Sequence, residues 1–422
     1  MSLESKLGCE VPRSRRPELT KNVNDLRLLQ IAPRVPWPLD TGAKLRNYHL
    51  ARALQGSMRV TLLAFGEQSN STQLDAAYER VVCVPRNERY STGNIIRGAL
   101  GRTPLPLLNY TTPEMSAALK RLLAEDRFDL VQVESVHLMN YLPLLRSWSR
   151  TPVVCDWHNV ESDLMRQYAE REPKVARRTY ARRTARLMSE AEKRALKEFD
   201  AHITVSDEDR ARLNSVNSGS RIFVIENGVD AVHYSNQHSD KGNRIVFVGS
   251  MDYHANIDGA TNFARNVWPV IHESNPGLRF TIIGREPAAE VRQLASRPGI
   301  EVTGSVDDVR PFYREALAAV VPLNVGGGSR LKILEAMAAG VPVVSTRLGA
   351  EGLNVSDGEN ILLADTPTQL ASQTIGLIDD ENLRATIVAG GRALVEAKYD
   401  WKILGAKLIA QYQDFLVEMK RN

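Results

Sequence analysis

Two successive runs of short apolar segments alternating with helical stretches constrain this chain more than any other feature. Leu26–Ile31, Val60–Phe65, Val81–Val84, Leu130–Glu134, Val153–Asp156, Ala201–Val205 and Ile222–Ile225 read as strands, and a helical stretch at Ala43–Leu54 separates the first two. Strand, helix, strand in that order builds a parallel sheet with helical crossovers. Residues 236–243 are short, polar and free of apolar periodicity, as expected of a link between domains. The pattern then restarts with Arg244–Val248, a helix around Ile257–His272, Leu278–Ile283, Ile300–Val302, Ala318–Pro322, a helix near Lys332–Ala339, and Val341–Ser345. Two α/β units follow, each with its own sheet, and ligands of such sheets sit beyond the carboxyl ends of the strands.

With 422 residues, the chain is long enough for both units. Residues 1–25, with Arg13, Arg15, Arg16 and Lys21 among prolines, are expected to form a flexible basic tail. A net charge of +4 is too small to argue for a nucleic-acid partner. Cys9, Cys83 and Cys155 stand far apart, so neither a disulfide framework nor a cysteine metal site is expected, and a reducing, cytoplasmic setting is favoured. Apolar stretches such as Ala316–Leu323 fall far short of a membrane span, and the opening segment lacks the apolar region of a secretion signal.

The most informative segment is Asn324 to Val344. A strand ends in Gly326, Gly327, Gly328 and Ser329; Arg330, Lys332 and Glu335 follow on a helix; Gly340 and Pro342 mark the entry to another strand. Glycines clear side chains from a helix start, where unpaired amides can close on a phosphate. Arg330 and Lys332 oppose the helix dipole unless an anion lies between them and the amides. The spacing is neither a phosphate-binding lysine loop nor a dinucleotide fingerprint. Glu335 is placed to accept hydrogen bonds from sugar hydroxyls, or to be a plain surface carboxylate.

This segment resembles the donor-binding signature of the retaining glycosyltransferases of family 4. So do Ala32–Gly42, Asp156-Trp157-His158-Asn159, Ile225 to Asp230 and Val248 to Met251, which spread the resemblance from Leu26 to the C-terminus. It is strongest toward bacterial sugar transferases of exopolysaccharide assembly, including those associated with PEP-CTERM sorting. The resemblance implies a GT-B fold: two Rossmann-like domains facing each other across a cleft, residues 26–235 for acceptor and 244–398 for nucleotide sugar. A helix within residues 399–422 would return to the first domain.

The resemblance further implies a donor site at Gly249, Ser250, Arg285, Gly326, Gly327, Gly328, Ser329, Glu335 and Glu351. His158, Arg330, Lys332 and Gly42 would carry catalysis, and Trp37, Asp156, Asn159 and Glu161 would face the acceptor or orient His158. Where the family usually has a first glutamate this chain has Gly327, so backbone amides would stand in for it. Developing charge on the departing diphosphate would be met by amides, Arg330 and Lys332, with no essential metal or other cofactor. Asp207 and Asp209 form an Asp-x-Asp pattern, but Ser206 before them reads as a helix cap. His49 reads as a packed or surface histidine.

The expected partners are thus a nucleotide sugar and a carbohydrate or lipid-linked carbohydrate acceptor. A nucleotide-sugar epimerase and a non-catalytic scaffold remain as alternatives. Ten basic and five acidic residues between Glu170 and Glu198 read either as a solvated helix face or as a patch for anionic lipid at the inner face of the membrane.

Overall fold

A computed structural model of the chain describes residues 26–67, 72–86, 91–235, 242–325 and 330–421. The expected tail and residues 236–241 of the expected linker lie outside the described residues. Seven parallel strands make the first sheet: β1 (Leu26–Ala32), β2 (Met58–Phe65), β3 (Arg80–Val84), β4 (Leu130–Glu134), β5 (Val153–Trp157), β6 (Ala201–Thr204) and β7 (Ile222–Val224), in the order β3-β2-β1-β4-β5-β6-β7. Alternate side chains enter different cores: Leu29, Ile31, Val131 and Val133 on one face, Leu28, Leu62, Leu130 and Val154 on the other. Burial of both faces explains the near-continuous apolar runs in the sequence.

The second sheet has six strands, β8 (Arg244–Val248), β9 (Arg279–Ile283), β10 (Ile300–Gly304), β11 (Ala316–Val321), β12 (Val343–Ser345) and β13 (Leu362–Leu363), ordered β10-β9-β8-β11-β12-β13. The two Rossmann-like domains face each other across a cleft. The two-residue β13 has no counterpart in the expected pattern, being too short for any periodicity to show. The helix expected over 257–272 is two helices, His254–Asn266 and Trp268–Ser274, because Pro269 has no N–H to continue the first. For the same reason the basic stretch is split around Pro173, into Glu161–Arg171 and Val175–Glu198.

The chain enters the second core earlier than the expected linker. Val229 and Ala231 are already buried there, and the Val229 amide donates to Tyr399 O at 2.9 Å while Trp401 N donates back to Val229 O at 3.2 Å. Two crossings of the chain therefore lie side by side. After the second, the closing helix Trp401–Arg421 places Trp401, Leu404, Leu408, Tyr412, Phe415 and Leu416 in the first domain's core. Gly405 sits against the Gly42–Leu54 helix so closely that a Cβ would lie 2.2 Å from Ala53 Cβ. Gly405→Val is accordingly expected to destabilise the protein by about 1–3 kcal/mol, read as a lower urea midpoint; an unchanged midpoint would contradict this packing.

Candidate active site

Strand ends from both sheets meet at the cleft. From the first domain come His158 and Asn159, just past β5, and the start of the Gly42–Leu54 helix, which Thr41 caps by accepting from Lys44 N at 3.4 Å. From the second come Gly249 and Ser250 after β8, Arg285 after β9, and the helix Leu331–Ala338. A cavity of about 540 Å³ is lined by His158, Asn159, Glu226, Arg330 and Glu351 among others. A larger one, about 1000 Å³, is lined by Trp37, Gly249, Ser250, Arg285, Lys332 and Glu335 among others. Gly42 and Arg330 line both, which puts the junction of the two cavities between a side-chain-free helix start and a guanidinium.

Gly326, Gly327, Gly328 and Ser329 lie outside the described residues. Arg330 occupies the N-cap position of Leu331–Ala338 without a side-chain cap. It is 8% exposed, donates through Nε to Glu351 O at 3.3 Å, and reaches Glu351 Oε2 at 3.4 Å. Burial lowers its pKa, with Glu351 opposing. Lys332 Nζ donates to Asn256 Oδ1 at 2.6 Å and lies 4.8 Å from the centroid of the Phe247 ring. Burial, together with the charge of Arg330, pushes its pKa down to about 7. Two cations at the positive end of a helix, with no acidic residue in its first turn, form a strained electrostatic arrangement that a bound anion would relieve.

Glu335, on the same helix, is pushed up to about 7 by burial, and the Tyr234 hydroxyl donates to it. Gly249 is required by close approach: a Cβ there would meet Asn256 Nδ2 at 2.8 Å and Lys332 Nζ at 2.9 Å. Arg285 Nε donates to Ser250 Oγ at 2.8 Å, and the next residue, Glu286, holds a positive φ of 49°, a conformation that marks a constrained turn at the cavity edge.

His158 Nε2 lies 2.9 Å from Glu134 Oε2. Burial alone would lower its pKa, but the hydrogen bond to Glu134 and the nearby charges of Asp156 and Glu134 outweigh it, and the net direction is upward. Glu134, at the end of β4, reads from sequence only as a strand terminus. Its importance comes from partners distant along the chain.

Two acceptor-side expectations change. Asp156 is fully buried, its carboxylate accepts from Arg46 Nε at 2.9 Å and NH2 at 3.1 Å, and it lines neither cavity. A buried guanidinium is the stronger competitor for that carboxylate than a solvated ligand. Glu161 lines neither cavity; burial pushes it up to about 7, and it sits 3.8 Å from His137 Nε2. Trp37 and Asn159 do line the larger and smaller cavities respectively. His49 lines the larger one too, stacked on Trp401 with centroids 5.4 Å apart.

Ser206 caps the Asp207–Val216 helix, its hydroxyl accepting from Asp209 N at 3.1 Å. Ligand atoms of Glu134, Asp156 and His158 lie within 4.8 Å of one another, close enough to surround an ion. Their carboxylates, however, already meet donors from Gln30, Gln132, Arg46 and His158, which makes this a charge network in its own right.

Residues 41–233 match the family described as Glycosyltransferase Family 4, and residues 242–380 match Glycosyl transferases group 1. Phosphatidyl-myo-inositol mannosyltransferase of Mycolicibacterium smegmatis is 23% identical over 378 residues, 82% of this chain and 90% of that protein. Sucrose-phosphate synthase of Thermosynechococcus elongatus has a similar structure, with a TM-score of 0.68 at 17% identity, covering 93% of this chain and 100% of that one. HepE of Anabaena in complex with UDP and glucose superposes with a TM-score of 0.65 at 16% identity, over 92% and 100% of the two chains.

Proposed function

This chain is a glycosyltransferase of the GT-B, family 4 fold, and we propose that it moves a sugar, with retained anomeric configuration, from a nucleoside-diphosphate sugar to a hydroxyl of a carbohydrate or lipid-linked carbohydrate. The larger cavity takes the nucleotide and the smaller one the acceptor. One observation carries this reading: the first turn of Leu331–Ala338, with Arg330 and Lys332, opens where the two cavities join. A sugar bound at that junction would have its diphosphate against the two cations and its anomeric carbon beside Gly42.

Charge that builds on the departing diphosphate is stabilised by groups already in place, without reorganisation at the moment of reaction. Attack from the face that the nucleotide leaves lets the diphosphate take the acceptor proton. Three of the carboxylates lining the smaller cavity are already paired with cations, Glu226 with Lys407 at 2.8 Å, Asp163 with Arg166 at 2.6 Å and Asp209 with Arg212 at 3.3 Å, which disfavours them as nucleophiles for a covalent intermediate. An epimerase has no use for a second, acceptor-sized cavity.

HepE binds UDP and glucose, which makes UDP-glucose the first donor to try. The test is mass spectrometry of products from UDP-, GDP-, ADP- and TDP-sugars with free and lipid-linked saccharides. A glycoside is expected with one donor; nucleotide binding without any glycoside would refute the transferase reading.

The pathway we propose is cell-surface polysaccharide assembly of the exopolysaccharide kind, on the cytoplasmic side of the membrane, and two features support contact with anionic lipid. No helix among the described residues is long and apolar enough to cross a membrane. The Thr92–Leu100 helix nevertheless exposes Ile95, Ile96 and Leu100, the last by 82%. Arg183, on the basic helix Val175–Glu198, donates to Gly101 O at 2.5 Å, so an apolar edge and a basic face adjoin. Leu100→Asp is expected to weaken binding to phosphatidylglycerol vesicles at low salt about tenfold, as loss of one buried leucine predicts. Equal sedimentation of variant and parent with the vesicles would count against the surface.

A further inference from the structure

The His158 ring is held from behind by a buried relay that draws on four elements, β1, the Gly42–Leu54 helix, β4 and the closing helix. Glu134 is fully buried; its Oε1 accepts from Gln30 Nε2 at 2.5 Å and from Gln132 Nε2 at 2.6 Å, and its Oε2 meets His158. The Asn47 amide, turned so that its nitrogen donates, reaches the same Oε2 at 3.0 Å. Gln132 Oε1 in turn accepts from the hydroxyl of Tyr412, a fully buried residue of the closing helix. That bond orients the amide: with its oxygen committed to Tyr412, Gln132 must present its nitrogen to Glu134.

Backbone geometry marks the same spot. Ser135, directly after Glu134, has a positive φ of 84°, a costly conformation for a residue with a side chain. Its N–H, continuing the β4–β5 ladder, donates to Asp156 O at 2.9 Å, and its hydroxyl meets His137 Nδ1 at 3.1 Å.

Charges around the ring come from every side. Glu134 on β4 and Asp156 on β5 favour a proton on His158; Arg46, on the Gly42–Leu54 helix, opposes it but is paired with Asp156. His137, in the turn after β4, is pushed down to about 4 by burial and by His158, and so stays neutral. Glu161, beyond the ring, is itself pushed up by burial. Two buried carboxylates against one guanidinium leave one negative charge to balance, and His158 is the group that can do so. Its Nδ1 makes no hydrogen bond among the described residues, and the residue lines the smaller cavity.

We propose that Glu134 is a positioning residue that holds His158 as an imidazolium with Nε2 turned inward and Nδ1–H offered to the cavity, and that the closing helix completes this hold through Tyr412 and Gln132. His158 then serves as a charged hydrogen-bond donor and not as a proton acceptor. What it donates to depends on the transferase reading above; its protonation and orientation do not.

The experiment is a long-range ¹H–¹⁵N correlation spectrum of the full chain, recorded from about pH 5 to 9 to span histidine titration, with His158 assigned by its loss in His158→Asn. In the native protein the ring is expected to stay protonated above the ordinary histidine range and, on losing its proton, to keep hydrogen on Nε2. Glu134→Gln is expected to lower the titration by about one unit or more and to lower kcat while leaving the donor KM unchanged. Tyr412→Phe, which keeps the packing, is expected to lower kcat about two- to fivefold, the loss of one modest hydrogen bond.

A neutral native ring carrying hydrogen on Nδ1 at neutral pH, or an unshifted titration in Glu134→Gln, overturns the proposal. Should Glu134→Gln not fold, the native spectrum decides for the ring, and a Tyr412→Phe enzyme identical to the parent removes the closing helix from it. A protonated, inward-held ring in a protein that makes no glycoside would leave this inference standing and refute the transferase reading.

Discussion

Arg330→Ala is expected to lower kcat/KM by about 10²–10³-fold, the loss found when one preorganised donor is removed from a developing oxyanion. The residue is 8% exposed and borders both cavities. Its only anionic neighbour among the described side chains is Glu351, at a long 3.4 Å, so most of its charge is available to a ligand. Steady-state transfer kinetics measure the effect, and calorimetry with the product nucleotide separates binding from catalysis.

Lys332 adds a pH signature to the same measurement. Burial and Arg330 push its pKa down to about 7; a bound anion favours the charged form, so above that pH binding must draw in a proton and affinity falls as pH rises. In Lys332→Met that dependence should flatten. A native-like kcat/KM in Arg330→Ala would remove the residue from the chemistry.

The largest effect on stability belongs to the Arg46–Asp156 pair. Asp156→Ala is expected to cost about 3–5 kcal/mol, because it leaves a guanidinium buried without its counter-charge. Arg46 is 1% exposed and also donates to Ile225 O at 2.8 Å and Glu226 O at 3.0 Å, so the pair ties β5 to the segment that leads into the second domain. Urea denaturation followed by circular dichroism reads the loss. Arg46→Met combined with Asp156→Leu should recover much of it, since replacing both partners removes the stranded charge. If Asp156→Ala unfolds at the parental urea concentration, the pair is not a structural tie.

Much of the architecture was legible because parallel strands buried on both faces write themselves as apolar runs, and glycine-rich strand ends write themselves as turns. β1, β2, β4 and β8 stand within two residues of where the pattern puts them. The helix start at Arg330 and the strand end at His158 were likewise visible, because their chemistry is local. Glu134 was not visible, since its role is set by partners with separations in sequence such as 104 for Gln30, and Tyr412 lies 280 residues from Gln132. Asp156 shows the converse: its place beside Trp157-His158 suggested a cleft residue, yet Arg46, 110 residues away, holds it inside. Periodicity reports which face of a strand is covered; it does not report what covers it.

Because the closing helix supplies Trp401, Leu404, Leu408, Tyr412, Phe415 and Leu416 to the core laid down by β1 and β2, the domain begun first during synthesis is finished last. While a ribosome still encloses the Trp401–Arg421 helix, that domain has an open flank of apolar surface, and domains otherwise fold in the order they emerge. The first domain therefore needs shielding throughout translation of the second, and emergence of the Trp401–Arg421 helix is what covers its open flank.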